Sequence, residues 1–188
     1  MPVAGWVIIG IVVVLLFLLA MTYNSLVRLR NQVKNAWAQI DVQLKRRHDL
    51  IPNLVEAVKG YMAHERQTLE AVTNARNLAQ QAVGKGVGAQ SKAEGELSGA
   101  LSRLLAVVEN YPDLKANQNF LALQEELTST ENKISFSRQF YNDSVLGYNN
   151  KIQMFPSNMV ANVTGFKLDE FFEVEAPAER EAPKVSFS

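Results

Sequence analysis

The 188-residue sequence contains no cysteine and only two histidines, His48 and His64. Without cysteine it can form no disulfide framework, no thiolate metal site and no cysteine nucleophile. Neither histidine belongs to a Glu-x-x-His or His-Glu-x-x-His motif, and no glycine-rich phosphate loop follows a strand. We expect His48 to lie at the surface, at a helix break, and His64 to be exposed. The sequence therefore predicts no enzyme activity, no metal site and no cofactor.

Charge is balanced overall but unevenly distributed. The 19 basic residues match the 19 acidic ones, so no global field attracts nucleic acid, and none is expected as a partner. No acidic residue occurs before Asp41, whereas residues 28–47 are basic and residues 169–181 are acidic. The simplest interpretation is a basic membrane-proximal segment and a solvated acidic tail.

Residues 3–21 form an uncharged, proline-free run. As a helix, its 19 residues would span about 28 Å, close to the hydrocarbon thickness of a bilayer. Aromatic rings near both ends suit the headgroup level. A cleaved signal peptide would need a basic start and a better cleavage site, and a buried soluble helix is the remaining alternative. We predict a membrane anchor at residues 1–22, with these representative residues: Trp6, Leu15, Leu16, Phe17 and Tyr23.

The orientation follows from Arg28, Arg30 and Lys34, which come after the apolar run, while no Lys or Arg precedes it. The positive-inside rule places the N-terminus outside and the rest of the chain in the cytoplasm, at the bacterial inner membrane. A periplasmic domain is the alternative, because the lack of cysteine fits both compartments. We expect these three residues, the basic collar, to contact anionic lipid headgroups.

Apolar residues after the anchor recur in steps of three and four, and no stretch alternates with period two. This pattern predicts an all-α fold, in which the anchor continues into an elongated antiparallel bundle of about four long helices at residues 23–155. Pro52 indicates a break near residues 46–53, with a kinked continuous helix as the alternative. The remaining predicted segments are a helix at 54–83, a glycine loop at 84–91, a helix ending near 108 and a long helix at 114–151.

Amide side chains recur at heptad spacing on the first and last bundle helices, at Asn24 and Asn31 and at Asn142 and Asn149. Such residues can simply face water. If they border the packed seam, their hydrogen bonds would fix register and assembly, as a buried Asn does in coiled coils.

The segment 156–188 is predicted to be an irregular, aromatic and acidic tail. Disordered segments are usually poor in aromatic residues, so we expect this tail to dock on the bundle or on a neighbouring subunit. The residues expected to carry the docking are Phe171, Phe172, Val185 and Phe187.

Several long motifs resemble the LemA family of bacterial membrane proteins. They include the runs 35–55 (NAWAQIDVQLKRRHDLIPNLV), 109–116 (ENYPDLKA), 138–142 (RQFYN) and 182–187 (APKVSF). The resemblance covers nearly the whole chain. It implies a single-pass protein with its N-terminus outside and a cytoplasmic helical bundle. It also implies relatives associated with magnetosome formation, or encoded near HtpX-type membrane proteases or TPM-domain proteins, but it assigns no reaction.

Two functional hypotheses follow. The first is a non-enzymatic, membrane-anchored scaffold that forms homo-oligomers and acts in envelope organisation or stress. The alternative is a monomeric adaptor that presents a client to an inner-membrane protease or another membrane complex. The lipid bilayer is an expected partner in both.

Overall fold

The computed structural model describes residues 3–173, which form helices joined by short connections, with no strand among them. The helices are α1 (Val3–Lys59), α2 (Arg66–Ala82), α3 (Val87–Val108), α4 (Pro112–Lys115), α5 (Gln118–Gln153) and α6 (Ser157–Thr164). This confirms the all-α prediction, with a long N-terminal apolar helix that runs on into the bundle. Val185 and Phe187 lie outside the described residues.

The chain divides into two compact units, which share the two longest helices. Among the described residues, the first unit comprises residues 3–40 and 136–170, and the second comprises residues 41–135 and 171–173. The predicted domain bounds of 1–22, 23–155 and 156–188 do not coincide with this division, and they stay a prediction.

In the first unit, α1 and α5 pack in antiparallel directions. The rings of Trp37 and Tyr141 meet edge to face at 5.3 Å, and Gln32 Nε2 lies 3.5 Å from Ser144 Oγ. Positions nearer the N-terminus of α1 therefore pack against positions nearer the C-terminus of α5. The buried α1 residues of this seam are spaced by seven, three and four, as expected of a helix that packs along one face: Leu26, Val33, Ala36 and Ile40.

In the second unit, the C-terminal part of α1 packs with α2, α3, α4 and the N-terminal part of α5. Aliphatic side chains at steps of three and four dominate its core. The principal core residues are Ile51, Leu54, Val58, Met62, Val72, Leu97, Leu101, Leu104, Leu114, Phe120 and Leu127.

The predicted break near Pro52 is wrong, because α1 continues through it to Lys59. Proline has no N–H to donate to the carbonyl of His48, four residues earlier, so this carbonyl would lack its helical partner. The Nε of Arg76, in α2, donates a hydrogen bond of 2.7 Å to that oxygen. A side chain from another helix thus satisfies the carbonyl that Pro52 leaves free, and α1 remains continuous.

Other boundaries also differ from the predictions. The helix expected at 54–83 is interrupted at residues 60–65, where Met62 turns into the core beside Gly60, a poor helix former. The glycine loop is shorter than predicted, because only Gly84 and Gly86 adopt positive φ angles (79° and 104°) and α3 begins at Val87. The segment expected to be an irregular tail contains α6.

Candidate functional site

The second unit holds a group of charged and polar side chains from three helices, centred on buried residues, with Glu131 half exposed at its edge. Arg47 and His48 come from α1, Glu94 and Ser98 from α3, and Glu131 from α5; together we term them the buried charge cluster. Arg47, His48 and Glu94 are almost completely buried. Charged side chains are rarely buried without partners, so their contacts determine what the cluster can do.

The guanidinium of Arg47 lies at the centre of the cluster. Its Nη2 donates to Glu94 Oε2, and its Nη1 donates to Ser98 Oγ at 2.8 Å and to Glu131 Oε2 at 2.6 Å. His48 Nε2 lies 2.9 Å from the second oxygen of Glu94, Oε1. The side chain of Arg47 therefore links α1 to both α3 and α5.

The Glu94 carboxyl is held in its ionised form. Burial raises its pKa, but the interactions with His48 and Arg47 together outweigh that effect, so the pKa lies below the usual value for glutamate. Ser98 Oγ accepts a hydrogen bond from Arg47, a group that cannot act as a general base at neutral pH. The geometry is that of a structural ion-pair network joining three helices.

His48 does not lie at the surface, so this prediction is wrong. The sequence does contain a signal that would have located the cluster. Buried positions 40, 44, 47, 51 and 54 of α1 follow steps of three and four, and so do positions 90, 94, 97, 101 and 104 of α3. Arg47 and Glu94 each occupy one position of an otherwise largely apolar seam. A charge at a seam position on each of two helices indicates a buried pair.

No group of three or more histidine, aspartate or glutamate side chains that could hold a metal ion occurs within residues 3–173. His64 is exposed, as expected.

The predicted anchor residues lie on the apolar part of α1, in the first unit. This is the one helix among the described residues that is long and apolar enough to cross a membrane. Its side chains are exposed, including Trp6, Leu15, Leu16 and Phe17, and Tyr23 follows where the run ends. An exposed apolar helix of this length indicates a membrane anchor, because exposing so large an apolar surface to water is energetically unfavourable.

Two residues of the predicted basic collar have partners within the first unit. The guanidinium carbon of Arg30 lies 5.9 Å from the centroid of the Phe166 ring, within the range of a cation–π contact. Burial raises the pKa of the Asp169 carboxyl above its usual value, although the charges of Arg30 and Lys34 oppose the shift. Arg28 is exposed. Lipid contact by these residues stays a prediction.

The four asparagines have different environments. Asn24 and Asn31 are exposed, Asn142 is half-buried and Asn149 is buried. Asn149 Nδ2 donates to the carbonyl of Asp169 at 2.9 Å, and its Oδ1 accepts from the Asp169 N–H at 3.0 Å. Asn149 thus fixes the segment after α6 on α5.

Two of the predicted docking residues are described. Phe172 is buried and Phe171 is partly exposed. Next to them, Ser91 Oγ donates to the carbonyl of Glu173 in the second unit. In the first unit, Tyr141 donates its hydroxyl to the Glu170 carbonyl at 2.9 Å. Burial, together with the charges of Asp169 and Glu170, raises the pKa of Tyr141 to about 12.

Over residues 3–173, the helices and the exposed N-terminal run define a helical protein with one candidate membrane span. The chain belongs to the LemA family, whose model matches residues 36–187. It is 31% identical over 160 residues to Protein LemA of Metamycoplasma hominis, which covers 81% of this chain and 72% of the relative. It is 29% identical to Magnetosome protein MamQ 1 and MamQ 2 of Paramagnetospirillum magneticum, over 94% of this chain and 74% of each relative.

Proposed function

We propose that this LemA-family protein is a non-enzymatic, membrane-anchored scaffold that self-associates in the bacterial inner membrane and acts in envelope organisation or stress. The observation that carries the proposal is a pair of exposed phenylalanines on α5. Phe136 and Phe140 are 74% and 43% exposed, and they lie one turn apart on the same helix face. A soluble surface seldom keeps such neighbouring aromatic rings in water unless a partner covers them.

The apolar area of Phe136 and Phe140 alone is too small for a stable interface. Burying one phenylalanine contributes roughly 1.5–3 kcal/mol, so the exposed parts of both would contribute about 2–3 kcal/mol. A stable interface buries about 800 Å² on each partner, more than two rings supply. The anchor offsets this deficit, because confinement to one membrane raises the effective concentration of the protomers.

The relatives support this class of function. Two of them, from Paramagnetospirillum magneticum, are named magnetosome proteins, after a cellular structure. The ion-pair geometry of the buried charge cluster agrees with a non-enzymatic role.

The proposed orientation has the N-terminus outside and both units in the cytoplasm. It is supported by Arg28, Arg30 and Lys34 on one side of the span and by the lack of Lys or Arg before it. Because the chain has no cysteine, an Ala38→Cys variant carries a single thiol. In intact spheroplasts we expect this thiol to resist a membrane-impermeant maleimide and to react after lysis. Labelling before lysis would contradict the orientation.

The oligomer itself is tested by light scattering of the detergent-solubilised full chain, with the detergent mass subtracted. We expect a discrete multimer that dissociates in the variant Phe136→Ser/Phe140→Ser, with affinity reduced by roughly 30-fold or more for the two rings together. Leu146→Ser is the control, because Leu146 is exposed on another face of α5. A wild-type monomer would contradict the scaffold. If that monomer co-purified with a stoichiometric membrane partner, the adaptor hypothesis would replace it.

A further inference from the structure

The turn after α5 and the short helix α6 expose a second set of apolar side chains, which we term the α6 patch. It consists of Met154, Phe155, Met159 and Val163. Phe155 and Val163 are 78% and 88% exposed. The opposite side of α6 packs inward through Val160 and Ala161. α6 therefore has apolar residues on its outward face as well as on its packed face.

The packing of α1 against α5 shows where this patch lies along the anchor helix. Gln32 is adjacent to Ser144, and antiparallel helices rise by the same 1.5 Å per residue. Nine residues back along α1 leads to Tyr23, and nine residues forward along α5 leads to its last residue, Gln153. The α5–α6 corner therefore lies at the level where the apolar run of α1 ends.

The other end of α6 returns to the same level. Phe166, just after α6, places its ring edge to face against Tyr23, with 5.8 Å between centroids, and also against Tyr148 at 6.5 Å. Tyr23 follows the last apolar residue of the span, Met21. Both ends of α6 are thus beside the point at which α1 would leave the hydrocarbon core.

Charge at this end of the first unit is mainly positive, although the carboxyl of Asp169 lies near Arg30 and Lys34. Residues 1–40 and 144–168 include no aspartate or glutamate. The same ranges contain five basic residues: Arg28, Arg30, Lys34, Lys151 and Lys167. Exposed apolar groups bordered mainly by cations match the interfacial region of an anionic bilayer.

We propose that the α6 patch inserts into the membrane interface beside the anchor, with Lys151 and Lys167 against anionic lipid headgroups. This inference rests on the anchor part of the proposed function, but it is independent of self-association. A second membrane contact beside α1 restricts tilting and rotation of the first unit. The patch lies at the same level along α1 as the end of the span. We therefore favour lipid, rather than a second copy of the chain, as the partner that covers it.

The test uses the full chain in lipid nanodiscs, with single cysteines labelled by the fluorophore NBD. Val163→Cys reports on the patch, Leu15→Cys on the span, and Ala38→Cys on an exposed site of the first unit away from the span. In anionic discs we expect aqueous dithionite to reduce the Val163 label about fivefold more slowly than the Ala38 label, because interfacial helices sit below the water surface. We also expect brominated lipids to quench the Val163 label.

The outcomes separate the explanations. Equal dithionite rates at positions 163 and 38 would overturn the inference. Protection at 163 without bromine quenching would also overturn it, because another protein surface would then cover the patch. A Leu15 label that dithionite reduces rapidly would contradict the membrane anchor itself. That result is distinguishable from failure of the α6 patch, on which the Val163 label reports. We expect Lys151→Gln/Lys167→Gln to reduce bromine quenching in anionic discs to its level in neutral discs, and equal quenching with and without these lysines would refute the headgroup contact.

Discussion

The guanidinium of Arg47 and the carboxylate of Glu94 form an ion pair inside the second unit, where their side chains expose 1% and 3% of their surface. We predict that Glu94→Gln lowers the free energy of unfolding by about 3 kcal/mol, because it leaves the buried Arg47 charge only partly compensated. Urea unfolding followed by circular dichroism measures the loss. Glu126→Gln is the matched control, since its pair with Arg46 is exposed and is expected to contribute less than about 1 kcal/mol.

The double variant Arg47→Met/Glu94→Leu extends this prediction. A buried ion pair replaced by apolar groups of similar volume is often neutral or stabilising, because the desolvation cost of both charges disappears. We therefore expect the double variant to recover most of the stability that Glu94→Gln loses. A double variant less stable than Glu94→Gln would show that the charges contribute net stability.

The lowered pKa of Glu94 predicts a pH dependence of stability. A carboxyl whose pKa is lower in the folded chain contributes stability that is complete above its unfolded pKa of about 4.3 and is lost as the pH falls through the folded value. Between about pH 5 and pH 3, wild type should therefore lose more free energy of unfolding than Glu94→Gln. The free energy of unfolding is measured by denaturant titration at each pH. If it fell equally with pH in wild type and in Glu94→Gln, the role of Glu94 would be contradicted.

Arg76 is predicted to stabilise α1 only because residue 52 is proline. Arg76→Met should cost about 1.5–3 kcal/mol, the usual range for a hydrogen bond from a charged donor. In the background Pro52→Ala the cost should be smaller, because the new N–H can bond to the His48 carbonyl. A double-mutant cycle measures this coupling. Arg103→Met, at an exposed position on α3, controls for loss of charge.

Asn149 is predicted to stabilise the chain through the backbone of Asp169. Asn149→Leu leaves both the N–H and the carbonyl of Asp169 without the amide, at a cost of about 1–3 kcal/mol. Asn24→Leu is the control, since Asn24 is exposed and should change stability by less than about 0.5 kcal/mol. A changed oligomer mass with unchanged stability would instead favour an assembly role for Asn149.

Much of the fold was predictable because it depends on local patterns. The apolar run at residues 3–21 and the heptad steps through Leu26, Val33 and Ile40 each report on neighbouring residues of one helix. The two positive-φ glycines marked a turn, although the helix after it began earlier than the composition suggested. The family was recognisable for the same reason, since its motifs are contiguous.

The parts that were missed depend on partners distant in the chain. Whether Pro52 ends α1 depends on Arg76 from α2, and whether Asn149 differs from the equally polar Asn24 depends on Asp169. The amino-acid sequence by itself determined the helical class and the anchor, because helix periodicity and apolar length act locally. Only the tertiary structure decided which partners the buried polar groups meet, because a charge such as that of Arg47 can leave water only where carboxylates from other helices meet it.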